Sequence, residues 1–290
     1  MSRRILLPSA GTGASNNLIR SLREDYPGLV VVGTHDDRFT LRNSKANRNY
    51  LLPRVGASRF MDALRTIIDR EQIDLLIPNT AGDVATVSGL CDVLPCRTFL
   101  PSKSAIDRCQ DREALGGFLR ARGIAAIAAS RALPGRDIAC QSLWKDGRLV
   151  LIKTVERLAY LDAALPAGGT IESLARTVNQ PDAVAVCTEA IRAIDPDATG
   201  AFSVNLKEHR TGLPWITEVS PGHFTTMLSF FDFTGRHNMS ATYVRLALGE
   251  PVDIDAPYDV AEDRYFVRGI DTLPAIFHAD QLSEGIEEAV

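Results

Sequence analysis

Asn205 and Glu218 are the residues of this chain whose types and spacing point most directly to chemistry. They stand in Phe202-Ser203-Val204-Asn205 and Trp215-Ile216-Thr217-Glu218-Val219-Ser220-Pro221-Gly222-His223-Phe224. The first run alternates apolar and polar residues, and Thr211-Gly212 supplies a turn in the loop 207–214. The pair therefore reads as two antiparallel strands with Asn205 and Glu218 on one side. A carboxylate and an amide converging from paired strands can hold a hard cation such as Mg²⁺ beside phosphate oxygens. A surface hairpin with a solvated glutamate is the plain alternative.

These residues need elements to position them, and bulk properties bound what those are. At 290 residues the length favours about two domains. Hydrophobic residues make up 45% and charged ones 23%, ordinary values for a soluble globular protein. The net charge of −4, without a long basic run, argues against nucleic acid as the main partner. No apolar stretch reaches membrane-spanning length, so no membrane partner is expected. The opening Met1-Ser2-Arg3-Arg4-Ile5-Leu6-Leu7-Pro8 is too short in apolar residues for a signal peptide and reads as a first strand. Five irregularly spaced cysteines with no CxxC pair suggest reduced thiols in a cytoplasmic protein.

Along the chain, residues 3–8 form a strand, Ser9-Ala10-Gly11-Thr12-Gly13 a glycine-containing turn, and 18–23 the body of a helix. Strands follow at 29–34 and 73–78, with an amphipathic helix at 60–71. Short apolar strands alternating with helices predict a parallel α/β sheet, with ligands at the carboxyl ends of its strands. Gly11 and Gly13 are candidate cofactor-binding positions. A dinucleotide fingerprint is incomplete there, because Asn16 stands where the third glycine belongs. Asp36 and Asp37 after the second strand keep a Rossmann dehydrogenase open as the less favoured reading. Residues 99–102 read as the last strand of a first domain, 104–123 as a helix with a break, containing Gln110-Asp111-Arg112, and 184–194 as a further helix.

Taken in order, these segments resemble the ATP-grasp superfamily, as in carbamoyl phosphate synthetase and biotin carboxylase. Glu218-Val219-Ser220-Pro221-Gly222 resembles the family's Glu-x-Asn-Pro-Arg, with Ser220 for the asparagine and Gly222 for the arginine. Gln110-Asp111-Arg112, followed by Gly123-Ile124, resembles a helix whose basic residue touches nucleotide phosphates. Leu133-Pro134-Gly135-Arg136-Asp137, then Asp146-Gly147, resembles the strand beyond the adenine hinge. The resemblance implies a pre-ATP-grasp α/β domain over 1–102 and an ATP-grasp α+β domain over 103–290. It also implies a lid subdomain between 124 and 132, where only Ala125 to Ala132 stand. A chain without a lid, a lid outside these 290 residues, and a false resemblance are the three accounts of that gap.

The implied activity is ATP- and Mg²⁺-dependent ligation. A carboxylate is activated as an acyl phosphate and attacked by an amine. Glu218 is then the main metal ligand, Asn205 the second and Ser220 a weaker third. Arg112, Ala132 and Asp137 face the nucleotide, Asp137 toward the ribose. Lys153, Arg157 and His223 are the candidate catalytic groups, meeting phosphate or carboxylate charge. The substrate carboxylate is expected at the Gly11–Gly13 loop, whose amides favour an anion. Partners are small-molecule carboxylates and amines, with a homodimer as an open assembly. A nucleotide-binding homologue without turnover is the alternative.

Overall fold

A computed structural model of the chain describes residues 2–127, 135–161, 171–269 and 275–281. It contains two sheets. The first is parallel, with β1 (Arg4–Leu7), β2 (Val30–His35), β3 (Arg48–Leu51) and β4 (Leu75–Leu76) in the order β3-β2-β1-β4. Ile5, Leu6, Leu7, Val31 and Val32 are fully buried. Helices cover both faces of such a sheet, so its inner strands read as unbroken apolar runs. Helix α1 (Gly13–Asp25) starts where Thr12 Oγ1 accepts from the Ser15 amide. Short α2 (Arg38–Leu41) follows β2. Helix α3 (Phe60–Glu71) lies where its periodicity predicts and buries Phe60, Leu64, Ile67 and Ile68. Helix α4 (Ala81–Ser88) is opened by a reciprocal capping box between Thr80 and Asp83.

Residues 99–102 form no strand, contrary to the reading from sequence. Only Arg97 bridges to Leu75. Beyond it the Phe99 carbonyl accepts from the Tyr243 hydroxyl at 2.6 Å, and Pro101 has no N–H to give a ladder. The segment crosses from the first sheet to α5 (Lys103–Gln110) and α6 (Arg112–Arg120). The expected break in this helical stretch lies at Asp111. Its carboxylate caps α6 by accepting from the Glu113 and Ala114 amides at 2.9 and 3.0 Å.

The second sheet is antiparallel and has seven strands among the described residues. They are β5 (Asp137–Lys145), β6 (Arg148–Tyr160), β7 (Glu172–Thr177), β8 (Gly200–Glu208), β9 (Pro214–Pro221), β10 (Arg264–Val267) and β11 (Ala275–His278). Their order is β11-β10-β7-β6-β5-β8-β9. Asp146 and Gly147, both at positive φ, turn β5 into β6. One face packs Ile138, Cys140, Ile152, Phe202 and Val204 against α7 (Pro181–Ile194), α5 and α6. On the other, Ala139, Val155 and Ala175 meet Phe230 and Phe231 of α8 (Leu228–Asp232). A third cluster joins Ile5, Leu7 and Leu22 to Leu143, Leu151 and Tyr243, the last on α9 (Met239–Leu248), so the two sheets share packing. No helix among the described residues is long and apolar enough to cross a membrane.

Candidate functional site

Strand register brings the polar residues together. Asn205 pairs directly with Glu218, Ala139 with Asn205, and Asp137 with both Arg157 and Lys207. Residues opposite one another or two apart on a strand share a face. Asp137, Arg157, Asn205, Lys207 and Glu218 therefore stand on one side of the sheet. The Asn205 amide donates to Glu218 Oε2 at 3.1 Å, and its oxygen accepts from Arg157 at 2.7 Å.

Arg157 is the hub, and its side chain is 7% exposed. It pairs with Asp137 at 3.2 Å and with Glu172 at 3.0 Å. Burial pulls its pKa down, but these carboxylates outweigh it and hold the guanidinium above its ordinary value. Tyr160 donates to Asp137, and Lys207 lies 3.3 Å from the same carboxylate. Burial, then Asp137, push the Tyr160 phenol well up.

The first residue of α6, Arg112, reaches across to Glu218 Oε1 at 2.5 Å. Ser220 Oγ lies 3.5 Å from the same oxygen. A cleft of about 250 Å³ opens beside this pair, walled by Val84, Ile106, Cys109 and His223. His223 donates from Nδ1 to the Phe224 carbonyl at 3.0 Å. Burial holds its imidazole below the ordinary value, against the pull of that carbonyl and of Asp83 and Glu218.

Lys153 is placed differently from the expectation of a phosphate contact. Its side chain is 3% exposed. The ammonium donates to the Phe231, Thr234 and His237 carbonyls and pairs with Asp259 at 3.0 Å. Three donors with these partners leave no free N–H for a ligand. Its cage ties the 231–237 segment to β6. Gly11 has a packing reason: at φ +93 its backbone abuts the Thr40 carbonyl, where a Cβ would collide. Gly13 begins α1 in open space. Helix α1 reaches the polar face through Asn17, whose amide lies 3.4 Å from the Thr226 carbonyl. Ala132 lies outside the described residues.

Glu172, Thr226 and Arg268 were not foreseen from the sequence. Thr226 donates to Glu172 at 2.8 Å, and its carbonyl accepts from Arg268 at 2.7 Å. Arg268 lies over the Phe266 ring, 4.9 Å from its centroid. Burial draws its pKa down, against Glu172. None of the described acids pairs with it.

No family model and no curated protein sequence matches this chain. Solved structures do. The L-amino acid ligase from Bacillus licheniformis superposes with a TM-score of 0.69 at 12% identity, over 91% of this chain and 79% of that one. Carboxyaminoimidazole ribonucleotide synthase from Aspergillus clavatus, complexed with ATP, gives 0.64 at 12%, over 92% and 81%. Biotin carboxylase from Campylobacter jejuni gives 0.65 at 10%, over 92% and 76%.

The chain has the ATP-grasp fold.

Within an ATP-grasp fold the strand pair carrying Asn205 and Glu218 meets a specific chemical test. Mg²⁺ takes hard oxygen ligands, and it is usually held by one or two carboxylates together with phosphate oxygens. Glu218, with the Ser220 hydroxyl on the same strand, fits that use. Among the described residues no group of three or more His, Cys, Asp or Glu stands ready as an all-protein cage. Between Ile127 and Gly135 the sequence has seven residues, 128–134, which lie outside the described residues.

Proposed function

We propose that the chain is an ATP- and Mg²⁺-dependent ligase that activates a carboxylate as an acyl phosphate for attack by an amine. The observation that carries this reading is the paired Asn205–Glu218 row, with Arg112 on Glu218, in an ATP-grasp fold. A metal ion held by Glu218 would neutralise charge on the transferring phosphoryl group. Arg112 supplies a cation to the phosphates from the helix side. Asp137, at the start of β5, faces the ribose. Arg157 holds Asp137, Asn205 and Glu172 in register and so fixes the row.

The carboxylate substrate is placed between the start of α1 and Arg268. Arg268 is a part-buried cation without a carboxylate partner among the described residues, and it shares the Thr226 carbonyl with Asn17 of α1. A substrate carboxylate there would meet both a guanidinium and the amide-rich helix start.

The test is ADP release measured across a panel of amino acids and other small carboxylates, with and without amine acceptors. Carboxylate-dependent ADP formation that Glu218→Gln abolishes supports the ligase. Nucleotide binding by calorimetry without ADP release from any pair would instead mark a binding protein.

A further inference from the structure

The oxygens that this reading offers to a cation are already hydrogen-bonded. Arg112 donates to Glu218 Oε1 at 2.5 Å, the Asn205 amide nitrogen to Oε2 at 3.1 Å, and Arg157 to the Asn205 oxygen at 2.7 Å. The orientation of the amide is forced, since a guanidinium only donates and a carboxylate only accepts. The two arginines differ in freedom. Arg157 is buried and tied to two further carboxylates. Arg112 is 53% exposed, sits at a helix start, and pairs with Glu218 alone among the described acids.

We propose that Arg112 is a displaceable counter-ion that keeps Glu218 closed to free metal until nucleotide phosphates draw it away. Asn205, in the same proposal, stays a strut between Arg157 and Glu218 and does not ligate the metal. The inference rests on the ATP-dependent reading of this site. A guanidinium and a divalent cation on one carboxylate oxygen repel each other. Phosphates relieve the conflict, because they bring negative charge for both cations and suit the planar guanidinium fork. Turning the Asn205 oxygen to a metal would take an acceptor from buried Arg157 and turn the amide N–H away from Glu218. Metal and nucleotide would therefore enter together.

Electron paramagnetic resonance of free Mn²⁺, titrated into the full chain without nucleotide, reads the latch. Arg112→Ala is expected to bind one Mn²⁺ about tenfold tighter than wild type. Arg112→Lys, which keeps a charge, should stay near wild type, and Arg112→Ala/Glu218→Gln should lose the gain. Arg112→Ala/Asn205→Ala should keep the Mn²⁺ site within about threefold. Calorimetry with Mn²⁺ and a non-hydrolysable ATP analogue should show Arg112→Ala about tenfold weaker. Equal Mn²⁺ affinity in wild type and Arg112→Ala overturns the latch, and unchanged analogue affinity overturns the exchange onto phosphates. A loss in Arg112→Ala/Asn205→Ala as large as that from Glu218→Gln overturns the strut. A wild type that never binds the analogue defeats the ATP reading, while the Mn²⁺ comparison still decides the latch.

Discussion

Gly222 and Val84 approach so closely that no side chain fits between them: a Cβ on Gly222 would lie 2.8 Å from Val84 Cγ1. Gly222 is also at φ +89, a conformation that costs an L side chain strain. The glycine at position 222 thus has a local cause, the approach of α4 to the end of β9. Gly222→Ala is expected to lower unfolding free energy by about 1–3 kcal/mol. In a Val84→Ala background the same change should cost less, because the nearest methyls are gone and only the 3.2 Å approach to Leu100 Cδ2 and the backbone strain remain. Urea denaturation of Gly222→Ala against wild type and of the double variant against Val84→Ala measures the two costs, and equal costs would remove the steric explanation.

Arg157 holds two carboxylates that have little access to water. Glu172 is 8% and Asp137 16% exposed. Arg157→Met keeps much of the volume but leaves Glu172 without a paired cation among the described residues, while Asp137 keeps Lys207 and the Tyr160 hydroxyl. Breaking a buried pair from one side typically costs about 3–5 kcal/mol. Adding Glu172→Gln should recover part of that loss, because it removes one stranded charge. Chemical denaturation of the single and double variants gives the comparison, and a double variant less stable than the single would contradict it.

The pH dependence of stability follows from His223. Its folded-state pKa lies below the ordinary 6.5 because burial disfavours the charged ring. Above 6.5 the ring is neutral in both states and its contribution is fully present. As pH falls from 6.5 toward the folded value, the unfolded chain takes up the proton first and stability drops. His223→Asn should flatten this part of the stability profile. Thermal unfolding of wild type and variant from pH 7.5 to 5 would show the difference, and parallel profiles would count against it.

The hairpin and its register were legible in the sequence because alternation and a Thr-Gly turn are local signals. That the 104–123 helix breaks was legible too, but its place was not: the Asp111 carboxylate makes a cap only by accepting from the Glu113 and Ala114 amides. Lys153 was misplaced because its surroundings come from 231, 234, 237 and 259, all remote in sequence. A lysine on an apolar strand looks the same whether it meets phosphate or backbone carbonyls. Glu172 and Arg268 were missed because β7 and β10 are short strands whose charged residues blur the alternation. Their meaning arises only when Thr226 joins them.

That junction yields the last prediction, which separates substrate from nucleotide. Arg268 and Asn17 share one carbonyl, which supports the proposal that a carboxylate held near the start of α1 also meets the guanidinium. Gly13, with no heavy atom within 4 Å of a built Cβ, can accept a larger side chain without disturbing the fold. Gly13→Val therefore adds bulk where a Cβ meets open space, and Arg268→Gln removes the charge together with the contacts to Thr226 and Phe266. Both should raise the KM for the carboxylate substrate, Arg268→Gln by about tenfold for a lost charged hydrogen bond. The KM for ATP should change much less in either variant, since the phosphates are assigned to Arg112 on α6 and Glu218 on β9. Steady-state kinetics with each substrate varied in turn supplies the ranking. A larger change in the KM for ATP would make the α1 loop a nucleotide site and return a dinucleotide-type role to Gly11 and Gly13.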